Sequence, residues 1–240
     1  MLNDFLNDFA ETDSIKIQGS VHIQVDSALS DPVSETRWLN NFLASKIPSA
    51  IIGYVDLANE SAEEIITHHL KFSKFRGVRQ IIAMLENNPH LSFTNENLIR
   101  NKLWQKNFTL LDKYKLTFDL QLYPEQMNEV SDFLSDFPEI FIVIDHAGSP
   151  YDQSDTGIRL WSRGLAKLSA LPNLFIKLSG FGMFDKKWSS KSTQIIFDTI
   201  LDNFDSNRIM WGSNFPVEKL INTYGYCVNQ LLKWLKPLST

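Results

Sequence analysis

The feature that most limits the folds open to this chain is a series of short β-branched or apolar runs, separated by segments with helical signals. There are seven runs: Ile15–Asp26, Ile51–Leu57, Phe75–Ile82, Leu116–Leu122, Phe141–Ala147, Leu174–Phe181 and Arg208–Phe215. Alternating strand and helix patterns are typical of a parallel sheet built from βα units. We therefore predict an α/β fold with seven parallel strands.

Helix signals follow these runs. Asp31 followed by Pro32 predicts an N-cap with a first-turn proline, and Ser61 to Glu64 has the pattern of a capping box. The predicted helices include Leu98–Tyr114, Pro124–Phe137, Thr156–Ala170, Ser190–Asn203 and Val217–Leu235. The loop Ala83–Asn97 is either a lid over a site or a variable surface loop.

The glycine pattern separates two kinds of parallel sheet. A doubly wound sheet usually carries a glycine-rich phosphate-binding turn after its first strand, whereas a closed parallel barrel needs eight strands. The only glycine-rich piece, Gly180-Phe-Gly182, follows a late run and lacks the G-x-G-x-x-G spacing. We predict a (β/α)8 TIM-like barrel lacking one strand. It would be a single domain over residues 1–240, with an irregular or helical segment at 1–14.

Composition narrows the class of partner. The formal net charge is −5, and no cluster of Lys and Arg suggests phosphate neutralisation, so we expect a small-molecule substrate and no nucleic acid. A homo-oligomer is possible. The N-terminus has no signal-peptide pattern and no run of about 18 apolar residues occurs, so we expect a cytoplasmic protein with no membrane contact. Cys227 is the only cysteine, which excludes an intramolecular disulfide and a cysteine-rich metal site.

Polar residues recur at alternate positions near the ends of the predicted strands. In a parallel barrel these positions face inward at the carboxyl ends of the strands, where active sites form. The set is His22, Gln24, Asp26, Tyr54, Asp56, Arg79, Asp119, Gln121, Tyr123, His146, Lys177, Ser179 and Asn214. Because charged groups are rarely buried without partners, their recurrence favours a shared polar pocket.

Several of these residues have a structural as well as a functional interpretation. His146 could be a core histidine, but the small residues after it leave space for a ligand. Arg79 could pair with Asp119 or Asp56, or it could bind a substrate carboxylate bidentately. His22 could hold a loop in place or contact substrate.

Three further residues are predicted to lie outside the pocket. Asp145 has the opposite strand parity to His146, so we assign it outward, to the helix layer. The adjacent His68 and His69 fall on a predicted surface helix and should be solvated. No G-x-S-x-G nucleophile elbow occurs, and Cys227 lies on the last helix, so we expect no covalent acyl catalysis.

Five segments in order along the chain resemble one known family. They are Phe75-Arg-Gly-Val-Arg79-Gln-Ile-Ile, Phe118-Asp-Leu-Gln-Leu-Tyr-Pro124, Ile144-Asp-His-Ala-Gly-Ser-Pro150, Phe175-Ile-Lys-Leu-Ser-Gly-Phe and Met210-Trp-Gly-Ser-Asn-Phe-Pro-Val217. Together they are similar to the amidohydrolase-related TIM-barrel hydrolases, in the branch of fuconolactonase and pyrone-dicarboxylate lactonase. The resemblance spans roughly residues 15 to 235.

This resemblance implies hydrolysis of small lactones or related ring or amide bonds. In that family a first strand carries His-x-His, a later histidine matches His146, and a last-strand Asp serves as metal ligand or general base. Some members use a divalent metal and others do not. Arg79 matches an arginine that holds the substrate carboxylate.

The chain departs from the family pattern in two places. No His-x-His occurs in the 240 residues, so we expect the first strand to be missing and the chain to be N-terminally incomplete. Asn214 stands where the family often has Asp, and an amide is neither a base nor a good zinc ligand. A catalytic zinc typically needs three protein ligands, and only His146 matches one, so we expect weak metal binding or none, although the family implies one divalent metal such as zinc.

The sequence supports three hypotheses. The first is a lactonase-like hydrolase acting on a small lactone or related carboxylated ring compound. Its catalytic residues would be His146, Asp119 and Asn214, and its substrate-binding residues would be Arg79, Gln121, Tyr123, His22 and Lys177. The second is a degenerate or truncated barrel that binds a small acid without turnover. The third is a barrel whose missing strand comes from a partner chain.

Overall fold

The computed structural model of the protein describes residues 7–8, 15–16, 18–25, 30–42, 47–186 and 190–236. Seven strands in this part of the chain form one parallel sheet in chain order, curled as a TIM-like barrel that lacks a strand. The strands are β1 (Val21–Ile23), β2 (Ala50–Tyr54), β3 (Phe75–Ile81), β4 (Thr117–Gln121), β5 (Ile142–Ile144), β6 (Leu174–Leu178) and β7 (Ile209–Trp211). Each lies within or overlaps its predicted run, so the predicted fold class is confirmed.

Helices connect successive strands. The α-helices are α1 (Ser34–Asn40), α2 (Ala62–His69), α3 (Lys102–Lys113), α4 (Met127–Leu134), α5 (Asp155–Ser169), α6 (Phe181–Phe184), α7 (Ser190–Asn203) and α8 (Tyr224–Leu235). Short 3₁₀ turns cover Pro89–Leu91, Leu98–Arg100, Pro124–Gln126, His146–Gly148, Ser206–Arg208 and Val217–Leu220. Among the described helices, none is long and apolar enough to cross a lipid bilayer.

Several predicted helix ends are wrong. Helix α1 begins three residues after Asp31, whose carbonyl accepts from the Ser34 backbone N–H, and Val33 is its N-cap. The Ser61 hydroxyl makes no capping bond to α2. The predicted helix Val217–Leu235 is broken, because Thr223 caps α8 by accepting from the Tyr226 N–H at 3.1 Å. Ser and Thr side chains compete with continued helix in this way.

The core lies between the sheet and the helices. Aromatic residues of α3 pack on β4, with the Trp104, Phe108 and Phe118 rings at centroid distances of 5.0 to 6.0 Å. The side chain of Asn101 starts α3 by accepting from the N–H groups of Leu103 and Trp104. Burial of these rings is a main source of the fold's stability, since each removes roughly 150–250 Å² from water.

His69 belongs to this inter-layer packing, which corrects the prediction that it is solvated. Its ring is fully buried, bonds to the Thr36 hydroxyl and the Tyr54 carbonyl at 3.0 Å each, and stacks on Phe75. Burial lowers the pKa of His69. His68 is exposed as predicted. Strand β2 can pass this close to the ring because position 53 is glycine, where a Cβ would lie 2.7 Å from it.

The two outermost strands differ from the middle of the sheet. Strands β1 and β7 have three residues each, and no pairing joins them in the described part of the chain. Val21 and Met210, on these edges, are 57% and 40% exposed. Among the described residues of the predicted first run, Val21–Ile23 is the strand, and positions 17 and 26 lie outside the described residues. The predicted N-terminal segment is described only at Asn7 and Asp8, which are helical.

Candidate active site

Four charged side chains meet inside the curled sheet; three come from β3, β4 and β6, and one from the residue just after β5. They are Arg79, Asp119, Asp145 and Lys177, which we call the charged cluster. The Arg79 Nε donates to Asp145 Oδ2 at 3.1 Å, and the Lys177 Nζ donates to Asp145 Oδ1 at 2.7 Å and also to Asp119 Oδ1. The side chains of the two aspartates are at most 4% exposed. The cluster therefore holds two positive and two negative charges in a nearly dry interior.

The position of Asp145 overturns its predicted outward orientation. Strand β5 ends at Ile144, so the alternation of side chains no longer applies at residue 145. The backbone of Asp145 is still extended, but His146 has a φ of 51° and the chain turns sharply. The carboxylate thereby points into the cluster. The signal that could have found it is an acidic residue at the very end of a buried strand.

Arg79 is paired, but with neither of the two predicted aspartates. Besides Asp145, it donates from Nη1 to the Gln24 carbonyl at 3.1 Å and from Nη2 to the Gln121 Oε1 at 2.5 Å. Arg79 is in register with Asp119 on the neighbouring strand β4. Its guanidinium group nevertheless extends past β4 and bonds to Asp145, just after β5. The other predicted partner, Asp56, accepts instead from the Gln80 amide at 2.8 Å and the Ala58 N–H.

Burial and charge compete in setting the pKa values of the cluster. Burial raises the pKa of Asp119 to about 6, although Lys177 opposes it. Burial acts the same way on Asp145, but there Lys177 and Arg79 outweigh it and lower the pKa. For Lys177, burial lowers the pKa, and Asp145 and Asp119 more than reverse this. The cluster is thus stable as a charged set at neutral pH.

His146 lies immediately beyond β5, partly buried, beside the charged cluster. Its Nδ1 bonds to the Ser179 Oγ at 3.2 Å, and its backbone N–H donates to the same oxygen at 3.3 Å. Burial lowers the pKa of His146 to about 4, so the ring is neutral at neutral pH. Its Nε2 has no hydrogen bond to any residue that the structure describes. Gly180 makes room for the ring, since a Cβ there would lie 2.6 Å from Nδ1.

The turn that carries His146 has an unusual backbone. Four consecutive residues, His146 to Ser149, have positive φ angles, and only Gly148 among them is glycine. Left-handed conformation costs roughly 1–2 kcal/mol for each L-residue. The buried Trp161 holds the turn, because its Nε1–H donates to the Ala147 carbonyl at 2.8 Å. Backbone strain of this kind is concentrated at functional sites.

Asn214 follows β7 and also has a positive φ, 55°. Its Nδ2 is buried and has no hydrogen-bond partner within the described part of the chain. A buried amide donor without a partner costs free energy, so such groups call for an explanation. Asn214 therefore has a donor free for a bound molecule. The Ser149 Oγ, on the turn after His146, is buried and without a partner in the same described set.

Tyr123 contacts the loop that was predicted as a lid or surface loop. Its hydroxyl donates to the Leu91 carbonyl at 2.7 Å, and its ring packs edge-on against Tyr151. Gln126 fixes the start of the same loop by accepting from the Met84 N–H and donating to the Ile82 carbonyl. The loop is therefore attached to the start of α4, and the Tyr123 hydroxyl is bonded to this loop.

His22 lies on the edge strand β1 and makes no described hydrogen bond to the charged cluster. Its Nε2 is 2.5 Å from the Glu35 Oε1 on α1, and Glu35 also accepts from the Val25 N–H. His22 was predicted either to hold a loop in place or to contact substrate. In the structure it bonds to Glu35 of α1 and so ties this helix to β1. Gln24 approaches the cluster through its backbone carbonyl, which accepts from Arg79.

The donor set does not suit a metal ion. Within the described residues, no three His, Cys, Asp or Glu side chains converge as ligands. The acidic groups of the charged cluster, Asp119 and Asp145, are bonded to Lys177 and Arg79. The Nδ1 of His146 is bonded to Ser179. A catalytic zinc typically uses three protein ligands and an open position, which these residues do not offer.

The fold and the site define an α/β-barrel protein whose polar site lies at the carboxyl ends of its strands. A sequence profile described as Amidohydrolase matches residues 31–238, which is most of the chain. The chain belongs to this family. Family membership confirms the predicted resemblance and the predicted class of enzyme, a hydrolase.

Similar sequences and a similar solved structure are known. The chain is 30% identical over 235 residues to the uncharacterised protein y4mH of Sinorhizobium fredii, covering 97% of this chain and 77% of y4mH. It is 26% identical over 199 residues to an L-fucono-1,5-lactonase of Burkholderia ambifaria. That match covers 80% of this chain and 63% of the lactonase. A crystal structure of an amidohydrolase from Burkholderia multivorans with bound zinc has the same fold, with a TM-score of 0.80, 22% identity and coverage of 98% and 80%.

Proposed function

We propose that the protein hydrolyses a small lactone or a related carboxylated ring compound. The observation that carries this proposal is the state of His146: a neutral histidine, held in a strained turn at the active end of the barrel, with Nε2 free of described protein partners. A general base needs this combination of position, an unprotonated ring and an available nitrogen. The similarity to a protein named as a fuconolactonase supports a lactone as substrate.

In the proposed reaction, water attacks the carbonyl carbon of the ring. His146 Nε2 accepts the proton of the attacking water, the ring C–O bond breaks, and the same proton passes to the released alkoxide to give a hydroxy acid. The Ser179 hydroxyl orients the ring of His146 through Nδ1. The Asn214 Nδ2, which has no partner among the described residues, donates to the carbonyl oxygen as negative charge develops on it. Asp119 is a weaker candidate for the base, because it is buried and bonded to Lys177.

The charged cluster would bind the carboxylate of the substrate or product. A guanidinium carries five N–H donors, and three described acceptors bond to Arg79, so two N–H groups remain. Lys177 likewise has three donors and uses two of them on aspartates. Gln121 keeps Arg79 in place. No step of this mechanism passes through a metal, because the residues present do not fit one.

Substitution of His146 is the direct test. Once turnover is established in a screen of sugar lactones and carboxylated lactones, His146→Ala should lower kcat/KM by about 100-fold or more, as expected for loss of a general base. His68→Ala is the matched control, since His68 is exposed on α2 and should leave kcat/KM unchanged. A loss below about tenfold for His146→Ala would reject the role of His146.

The same screen separates hydrolysis from binding alone. A rise in Tm with a hydroxy acid, combined with no turnover of any lactone, would support the hypothesis of a barrel that binds a small acid. Asn214→Asp gives a second measurement on the proposed site. It replaces the amide donor with a carboxylate, so it should lower kcat more than it raises KM, because repulsion acts on the developing oxyanion.

A further inference from the structure

The Lys177 ammonium lies between two buried carboxylates of different strands. It bonds to Asp119 Oδ1 on β4 and, at 2.7 Å, to Asp145 Oδ1 beyond β5. Both oxygens therefore point at one atom, Nζ. The side chain of Lys177 is 13% exposed, and those of Asp119 and Asp145 are 2% and 4% exposed.

The other contacts of these aspartates leave the two oxygens directed at this position. Arg79 bonds to Oδ2 of Asp145 and not to Oδ1. Two carboxylates held together in a dry interior repel each other unless a cation lies between them. Lys177 provides this cation from within the chain.

We propose that the Lys177 ammonium fills a cation site formed by Asp119 and Asp145, and that truncating this side chain opens the site to a divalent metal ion. The positive charge between the two aspartates is thus carried by a side chain of the protein itself, Lys177. The proposal does not depend on the reaction proposed above, because it concerns only which cation these oxygens hold.

The geometry favours a hard, oxygen-seeking ion once the ammonium is removed. Mg²⁺–oxygen distances are about 2.0–2.1 Å, shorter than the 2.7 Å between the Lys177 Nζ and the Asp145 Oδ1, so the carboxylates would close in on a bound ion. Removing the four-carbon side chain leaves space for water molecules as further ligands. Two carboxylates with several waters are typical of Mg²⁺ and Mn²⁺ sites, so Mn²⁺ is the probe of choice.

The test compares Mn²⁺ binding by the full chain and its Lys177→Ala variant at mildly alkaline pH, using calorimetry and the Mn²⁺ dependence of Tm. We expect the variant to bind one Mn²⁺ at least tenfold more tightly than the wild type. Mn²⁺ should raise the Tm of the variant and leave the Tm of the wild type unchanged. Adding Asp119→Asn to the variant should abolish this binding. Lys177→Arg keeps the positive charge and should bind no better than the wild type.

The matched control is Lys167→Ala. Lys167 also bonds to an aspartate, Asp132, at 2.7 Å, but this pair is exposed on the surface and faces no second carboxylate among its described contacts. It should not acquire Mn²⁺ binding.

Two results with folded proteins would overturn the proposal. One is tight Mn²⁺ binding by the wild type that Asp119→Asn removes. The other is a folded Lys177→Ala variant that binds Mn²⁺ no better than Lys167→Ala. If Lys177→Ala does not fold without metal, the proposal requires Mn²⁺ to restore its folded circular-dichroism spectrum, and failure to do so overturns it as well.

Discussion

Polar residues in the middle of the sheet and after its last strand, β7, differ in their bonding. In the middle of the sheet, from β3 to β6, the charged side chains of Arg79, Asp119, Asp145 and Lys177 bond to one another, and Arg79 also bonds to Gln24 and Gln121. At the last strand, β7, the amide of Asn214 has a buried donor with no partner in the described residues. The middle therefore contributes a fixed electrostatic frame, while the His146 Nε2 and the Asn214 Nδ2 have no partner among the described residues.

This difference teaches that burial alone does not identify reactive groups. The most buried ionisable residues of the site are those most completely paired, so their polar atoms are already bonded to one another and to Gln121. The histidine that is only partly buried keeps one nitrogen free. Predictions about stability should therefore give large effects in the middle of the sheet and small effects near β1, and these can be measured separately.

The largest effect on stability is expected at Asp145. Asp145→Asn removes the aspartate bonded to Arg79 and one of the two aspartates bonded to Lys177. Breaking a buried ion pair in this way typically costs about 3–5 kcal/mol. Urea unfolding of the wild type and the variant measures this directly. A loss under about 1 kcal/mol, the range of exposed pairs, would show that the cluster does not stabilise the middle of the sheet.

A smaller effect is expected at the turn that carries His146. Trp161→Phe keeps an aromatic ring but removes the donor to the Ala147 carbonyl, which leaves a buried acceptor unpaired at a cost of about 1–3 kcal/mol. The smaller ring also leaves a cavity in the core, which adds to the loss. Because the turn is strained, the variant should also lower kcat while the KM changes little. Trp38→Phe, on the more exposed helix α1, is the control for the substitution itself.

The pH dependence of stability should report on His69, which packs between α1 and β2. Its pKa in the folded protein lies below its ordinary value of 6.5, so the unfolded chain takes up the proton first. The stability that a neutral His69 contributes is thus present above about pH 6.5 and is lost as the pH falls below it. The free energy of unfolding should therefore decline less between neutral and acidic pH in His69→Gln than in the wild type. Parallel curves for the two proteins would contradict this prediction.

The smallest effect is expected for an exposed pair on α1, beside the edge strand β1. The Arg37 Nη1 lies 3.2 Å from the Asp31 Oδ2, and both side chains are at least 50% exposed. A double-mutant cycle on Arg37→Ala and Asp31→Ala should give a coupling of about 0.2–1 kcal/mol, reduced by salt. A coupling as large as that in the charged cluster would remove the contrast between the middle and the edge.

The repeating pattern of the sequence predicted the seven parallel strands, most of the helices and the set of polar strand ends. That prediction succeeded because the periodicity of apolar residues reflects burial, which each element needs whatever its neighbours are. Helix ends were less predictable. The pattern at Ser61 is that of a capping box, yet its hydroxyl makes no capping bond, because side-chain hydrogen bonds at helix ends depend on the local path of the backbone.

The sequence by itself therefore determined the fold class, the family and which strand ends are polar, since these depend on local composition and spacing. Only the tertiary structure decided which charge meets which. Asp145 was expected outward because strand parity placed it there, but the left-handed turn at His146 directs it between Arg79 and Lys177. His69 was expected in solvent, but packing of α1 and Phe75 encloses it. Pairing across strands depends on distances between segments far apart in the chain, and no local pattern contains those distances.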